Sequence, residues 1–249
     1  VGKQQIVWGQ ADGLKVLDLV NPQSFREFIL PPFDESRIPQ WAANLEVPVG
    51  DATLQMVWVP DQTYHEFPQP GAAYEVTAPQ IVGPAPPAGT PVRVLDADRP
   101  GAVVADSDVG ARVSAFVDGW DLTANYLYQY DNQPVFRRRV RGDGTVVVRP
   151  TFERTHVVGG TFANAFGEVT VRGELAYASD RYYPTRRPSD RDGVVASPAV
   201  EYVVAADWRP SARTLVSGQL FQSWVTDAPA GLIRDPLESA GTLLLRRTY

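Results

Sequence analysis

Along much of this chain, apolar and polar residues alternate one by one. The stretch 120–131 shows it most clearly. Trp120, Leu122, Ala124, Tyr126, Tyr128 and Tyr130 fall in one phase, and Asp121, Thr123, Asn125, Gln129 and Asp131 in the other, with Leu127 alone out of phase. Successive side chains of a β-strand point to opposite faces, so this stretch predicts a strand with one apolar and one polar face. Residues 41–49 repeat the pattern, with Trp41, Ala43, Leu45, Val47 and Val49 against Ala42, Asn44, Glu46 and Pro48. A strand of about 9–11 tilted residues is long enough to cross a bilayer.

The same pattern predicts ten strands, at 3–9, 41–49, 53–59, 108–118, 120–131, 155–165, 168–178, 198–208, 213–224 and 241–249. The first is too short to assign a face, and the facing of 155–165 is ambiguous. Short turns follow every second strand, at Gly50-Asp51, Asp118-Gly119, Phe166-Gly167 and Arg209-Pro210-Ser211; Asp-Gly is a hairpin signal. The other connections are long. Residues 60–107 carry nine prolines, which remove donors and fix φ, so this stretch is expected to stay a loop. In the connection 10–40, Asn21-Pro22 resembles an N-cap followed by a first-turn proline, predicting a helix over 22–30 that stops at Pro31-Pro32. Short periplasmic turns alternating with long extracellular loops mark bacterial outer-membrane barrels. That alternation makes 60–107 a long Pro-rich extracellular loop.

Tryptophan adds a second line. All six lie at or near a predicted strand end, and tryptophan favours the membrane–water interface. Trp8, Trp41, Trp58, Trp120, Tyr130, Tyr177, Trp208 and Trp224 are therefore expected to form aromatic girdles. A soluble sandwich would share the period of two, but it accounts poorly for the strand lengths, the loop alternation and these tryptophans. The fold class expected is all-β: an antiparallel up-and-down transmembrane β-barrel, incomplete, of about ten strands, with one short helix in a loop. Residues 1–249 make one partial barrel domain. Both ends read as cuts in a longer protein. Because bare strand edges are costly in lipid, the edges need the rest of a barrel or further copies of the chain, as in a homo-oligomer.

Composition narrows the chemistry. Cysteine is absent, which removes disulfides and thiolate metal sites. A net charge of -6 argues against a nucleic-acid surface. His65 and His156 lie in different parts of the chain, so no convergent metal site is expected. Hydrolase, phosphate-loop and zinc-protease motifs are missing. No cofactor and no catalytic residue is assigned, and the chain is not read as an enzyme. Asp96, Asp98, Asp106 and Asp108, and the pair Asp190 and Asp192, have spacings open to Ca²⁺ but lack an EF-hand pattern, and they read as solvated loop residues.

The polar strand faces are the expected working surface. Arg112, Ser114, Asp121, Asn125, Gln129, Arg172, Glu174, Glu201 and Asp207 would line a lumen and set its selectivity, although a pair such as Arg172 with a cross-strand acid would equally brace the wall. The predicted helix either folds inward, placing Phe25, Arg26 and Phe28 at a constriction, or packs on the rim. Two arginine runs, Arg137, Arg138, Arg139 and Arg141, and Arg181, Arg186, Arg187 and Arg191, suit phosphate contacts such as lipopolysaccharide offers, or read as solvated loops interleaved with acids.

The segment Gly2-Lys3-Gln4-Gln5-Ile6-Val7-Trp8-Gly9-Gln10-Ala11-Asp12, then Leu17-Asp18-Leu19-Val20-Asn21-Pro22 and Arg26-Glu27, resembles a family of uncharacterised, porin-like outer-membrane proteins of Gram-negative bacteria that carries a domain-of-unknown-function label. Ser36-Arg37-Ile38-Pro39 and Trp58-Val59-Pro60-Asp61 carry the same resemblance. It implies a barrel in the outer membrane and supplies no site residues. The functional expectation is a channel that passes small solutes of unspecified identity through a polar lumen, with outer-membrane lipid and lipopolysaccharide as surroundings. The alternative is a structural or adhesive barrel whose long loops bind lipopolysaccharide or a partner without transport.

Overall fold

In the computed structural model, residues 1–11, 16–27, 33–69 and 71–248 are described. Ten strands form one antiparallel sheet: β1 (Gly2–Gln4), β2 (Gln40–Val49), β3 (Ala52–Val59), β5 (Asp108–Val117), β6 (Trp120–Tyr130), β9 (Arg154–Phe166), β10 (Val169–Pro184), β11 (Val194–Ser211), β12 (Thr214–Val225) and β13 (Leu237–Arg247). Neighbours along the sheet follow chain order. A separate sheet holds β4 (Val92–Val94), β7 (Val135–Val140) and β8 (Val146–Thr151), in the order β4-β8-β7. Two one-turn helices, α1 (Phe33–Ser36) and α2 (Pro79–Val82), lie in connections. The main sheet is not closed: the outer edges of β1 and β13 pair with no other strand among the described residues.

The short turns sit where the alternation ends. Val117 and Trp120 pair directly, leaving Asp118-Gly119 as a two-residue loop. Both residues have positive φ, 50° and 86°, as a type I′ turn requires. Sheet strands joined by long connections reach their partners at the opposite end. Pro210 lies in β11 rather than in a turn, at a register irregularity between Trp208 and Ser211, where a missing N–H costs no ladder bond.

The facing runs opposite to that of a soluble sheet. On β6, Leu122, Ala124 and Tyr126 are exposed while Asn125, Leu127 and Gln129 are buried. On β10, Leu175 and Tyr177 are exposed while Glu174, Ala176 and Ala178 are buried. The apolar face is thus the open one and the polar face the covered one. What covers it is the N-terminal segment: Ile6, Trp8, Val16, Leu17 and Val20 form one buried cluster with Val57, Val59, Leu127, Val157 and Val203 of the sheet. This explains the out-of-phase Leu127, and also β9, where inward Val157 meets the cluster and outward Val158 stays exposed.

Four expectations are corrected. The first strand ends at Gln4, not at 9, because the chain leaves the sheet edge and turns across its polar face. No helix forms over 22–27: Gln23 and Ser24 make bridges to Arg37 and Glu66, and the helical turn comes later, at α1. Residues 28–32, including Phe28 and the rest of the expected helix, lie outside the described residues. The connection 132–150 is not a plain loop but carries the hairpin β7–β8, and the Pro-rich 60–107 contributes α2 and β4 between its prolines.

Candidate functional site

The N-terminal segment is held by polar side chains of the inner face rather than by strand pairing. The buried Glu174 carboxylate accepts four backbone N–H groups: Gln10 and Ala11 (2.6 Å) on one oxygen, Val16 (3.1 Å) and Leu17 (2.8 Å) on the other. Arg172 donates to the Gln10 carbonyl at 3.0 Å and pairs with Asp207 at 3.1 Å. Arg112 donates to the Val7 carbonyl at 3.3 Å, and the Gln10 amide reaches Asp121 at 3.4 Å. The Asn21 side chain accepts from Ile6 N–H at 2.6 Å and donates to the carbonyls of Gln4 and Ile38. A loop without regular structure must find partners for its backbone groups when covered, and here the inner wall supplies them.

Most of the predicted lumen residues therefore face the filled interior. Arg112, Asp121, Arg172, Glu174 and Asp207 act in this network, and Arg172 with Asp207 also braces the wall as anticipated. Asn125 is buried with neither amide atom partnered among the described residues. Ser114 shares the face, beside Thr53 and Thr123 in register. Glu201 accepts from Ser223 (3.1 Å) and pairs with Arg181 (3.3 Å), which also holds Asp131 at 2.6 Å. Arg181, grouped by sequence with an outer basic run, thus lies on the inner wall.

Gln129 lines a cavity of about 260 Å³ with Asp18, Gln23, Asp131 and Arg181. It shares Phe25, His65 and Gln133 with a more apolar cavity of about 460 Å³ lined by Phe67, Tyr74 and Ile81. On its other side, Asp131, Gln133 and Arg181 also wall a third cavity, of about 190 Å³, toward Tyr183, Glu201 and Arg234. Phe25 therefore stands between an apolar and a polar cavity, its ring 5.1 Å edge-on to His65 and 5.6 Å from Phe67. Arg26 makes an exposed pair with Glu66 at 3.1 Å. The His65 ring accepts from Gln23 N–H at 2.8 Å. Its enclosure among packed atoms pulls the imidazole down to about 4, with nearby Asp131 opposing and Arg181 adding to the shift.

The aromatic residues divide. Trp41, Trp58 and Trp224 are exposed on the outer face at the end of the long connections, and Trp208 at the end of the short turns. Trp120, also at the short-turn end, packs edge-on with Phe162 and Phe166. Tyr177 is exposed on the same face, and Tyr130 stacks under Arg154 at 4.0 Å. Trp8 is the correction. It is 1% exposed, sits inside the sheet, and donates its indole N–H to Gln55 at 2.8 Å. Ile6 and Trp8 alternate as a strand does, which predicts a girdle position; the interior role of Trp8 carries no signal in that pattern.

Among the described residues no group of three or more His, Cys, Asp or Glu is placed to hold a metal ion. Five of the six loop aspartates singled out by sequence, all but Asp96, are engaged within the protein. Asp98 faces Arg149 at 3.9 Å, Asp108 pairs with Arg154, Asp190 with Arg187, and Asp192 with Arg137. Hydrogen bonds from Ala102 N–H, the Tyr130 hydroxyl and Gly101 N–H hold the Asp106 carboxyl below its usual range. Among the described residues no helix is long and apolar enough to cross a membrane, a criterion that does not bear on strands.

Among curated proteins none matches the chain. A family match runs over residues 1–230, far beyond the opening segments that carry the sequence resemblance, and it takes in the N-terminal filling as well as the sheet up to β12. The chain belongs to the family described as "Protein of unknown function (DUF1302)".

Proposed function

We propose that the chain forms the wall of an outer-membrane β-barrel, with the exposed apolar face toward lipid and the polar face around a lumen. Small solutes would pass through that lumen, past Phe25 and the cavities on either side of it, without catalysis. One observation carries this: outward strand positions from β2 to β12 expose apolar side chains, while inward ones carry the buried polar groups Asn125, Gln129 and Glu174 beside the apolar cluster under the N-terminal segment, unlike the dry core of a sandwich. Exposed tryptophans at both ends of the strands add support, since their amphipathic rings suit the two interfaces. In lipid the outer edges of β1 and β13 must be paired, by further strands or a second copy.

The filled interior favours a second reading, a closed barrel that is structural or adhesive. Planar-bilayer conductance separates the two. Stepwise openings that change on Arg112→Glu or Arg172→Glu support the channel. Insertion with no conductance, in the wild type and in Glu174→Gln alike, supports the closed barrel. Failure to enter the bilayer at all would sink both.

A further inference from the structure

The small sheet β4-β8-β7 presents a face on which arginines outnumber the acids that pair with them. Register places Arg93 and Arg139 on either side of Val147, and Arg137 directly opposite Arg149. Arg141 and Arg191 join Arg137, Arg139 and Arg149 around a basin of about 510 Å³ whose one acid is Asp192. That acid is already used: Arg137 binds both Asp192 and Glu153. Arg149 reaches Asp98 only at 3.9 Å, and Arg141 has Asp143 as its acidic neighbour. Arg139 and Arg191 are exposed, and neither side chain makes an ion pair or hydrogen bond with any described residue.

Two physical points set this basin apart from a solvated basic face. Like charges opposite one another across an antiparallel pair destabilise it, yet the hairpin keeps Arg137 against Arg149. The chain as a whole is acidic, at -6, so arginines here are not short of carboxylates to pair with elsewhere. Arg187, a few residues away, shows the ordinary arrangement, closed on Asp190 at 3.0 Å. Unpaired guanidinium groups around a concavity focus a positive potential, and their planar forks match phosphate oxygens two at a time.

We propose that this basin is a binding site for a ligand carrying more than one phosphate group, with Arg139 and Arg191 as its principal contacts and Arg141 and Arg149 at its margin. The chemistry is common to a phosphorylated lipid headgroup and to a soluble polyphosphate. The site does not depend on the channel reading, because it lies outside the main sheet and can be tested in detergent.

The test is calorimetric titration of the folded protein with pyrophosphate at fixed ionic strength. Saturable binding is expected, weakened about tenfold or more in the Arg139→Gln/Arg191→Gln double variant, since a charge-assisted contact is lost at each position. The control Arg187→Gln, whose side chain is closed on Asp190, should bind as the wild type does. Micelles containing a diphosphorylated glycolipid then identify the source. If they displace pyrophosphate while phosphocholine micelles do not, the ligand is a lipid headgroup; if neither does, it is soluble, and the site stands in both cases. Absence of saturable binding, equal binding by the double variant, or equal displacement by chloride at the same ionic strength would overturn the proposal. Both substitutions are of exposed side chains, and an unchanged circular dichroism spectrum confirms that the variant folds.

Discussion

Glu174 and Leu175 are adjacent on β10, yet Glu174 is 2% exposed and Leu175 54% exposed. In a soluble sheet the carboxylate would face water and the leucine a core. Here the buried carboxylate holds four backbone N–H groups of the N-terminal segment, and the leucine lies on an open apolar surface with Tyr177, Val158 and Val204. The two faces of one strand thus differ in what covers them: the N-terminal segment on one side, nothing among the described residues on the other. The inner face mostly follows the rule that buried polar groups are partnered, as the four N–H groups on Glu174 show, with the Asn125 amide an exception among the described residues. The outer face is a contiguous exposed apolar surface, a liability in water that the proposed barrel would turn toward lipid.

That contrast can be broken from either side. The largest effects are expected inside. Trp8→Ala removes a fully buried ring that packs over Gly110, where an added Cβ would lie 2.6 Å from the indole, and should cost about 3–5 kcal/mol in urea unfolding. Trp224→Ala, at a ring 50% exposed on the outer face, should cost under about 1 kcal/mol in detergent. Glu174→Ala strands the N–H groups of Gln10, Ala11, Val16 and Leu17, for a loss of roughly 3–5 kcal/mol. Limited proteolysis should then cut within residues 5–20 while the strands stay intact. If both variants unfold as the wild type does, the filling of the inner face is not a stable element.

The outer face should respond differently. Leu175→Arg is expected to cost about 2–4 kcal/mol when the protein is folded into vesicles, as charge at mid-bilayer does, and much less in detergent. Equal and negligible cost in both media would mean that this face never meets lipid.

A smaller effect comes from pH. The folded His65 pKa is depressed to about 4, below the 6.5 of the unfolded chain. The unfolded state therefore binds more protons between those values, so stability is full above about pH 6.5 and falls as pH drops toward 4. The edge of the ring borders the cavity, which limits the loss to about 2 kcal/mol. His65→Asn should flatten the acid limb of the stability curve; an unchanged limb would assign it to other groups. The least effect is expected from Arg26→Ala, whose exposed pair with Glu66 is worth no more than about 0.5 kcal/mol.

Most of the main sheet was legible in the chain because strands such as β2, β6 and β10 alternate and end at strong turn residues. Each of its ten strands overlaps an expected one, although β1 ends at Gln4 rather than at 9, and Asp118-Gly119 turns as its residues require. The interior was not legible. Ile6 and Trp8 alternate as a strand does, but their backbone runs across the sheet, fixed by Asn21, Arg112, Arg172 and Glu174 from positions distant in sequence. Tertiary hydrogen bonding of this kind leaves no local period. The hairpin β7–β8 was hidden by three consecutive arginines, which mask alternation. Gly142-Asp143-Gly144 between Val140 and Val146 is the signal that would have revealed it. The inward placement of Arg181 was missed because β10 continues to Pro184, past the point where its apolar residues stop alternating.

The central claim is that the two faces of the main sheet see lipid and lumen. The chain has no cysteine, so single cysteines can be introduced along β10 without background. Spin labels at residues 172–178, with the protein folded into phospholipid vesicles, would be read against oxygen, which concentrates in lipid, and a water-soluble nickel chelate. The expected result is period two: strong oxygen relaxation at Leu175 and Tyr177, and little at Arg172, Glu174, Ala176 and Ala178. Collision with the nickel chelate at Leu175 and Tyr177, with no alternating oxygen signal, would place the outer face in water and contradict the barrel.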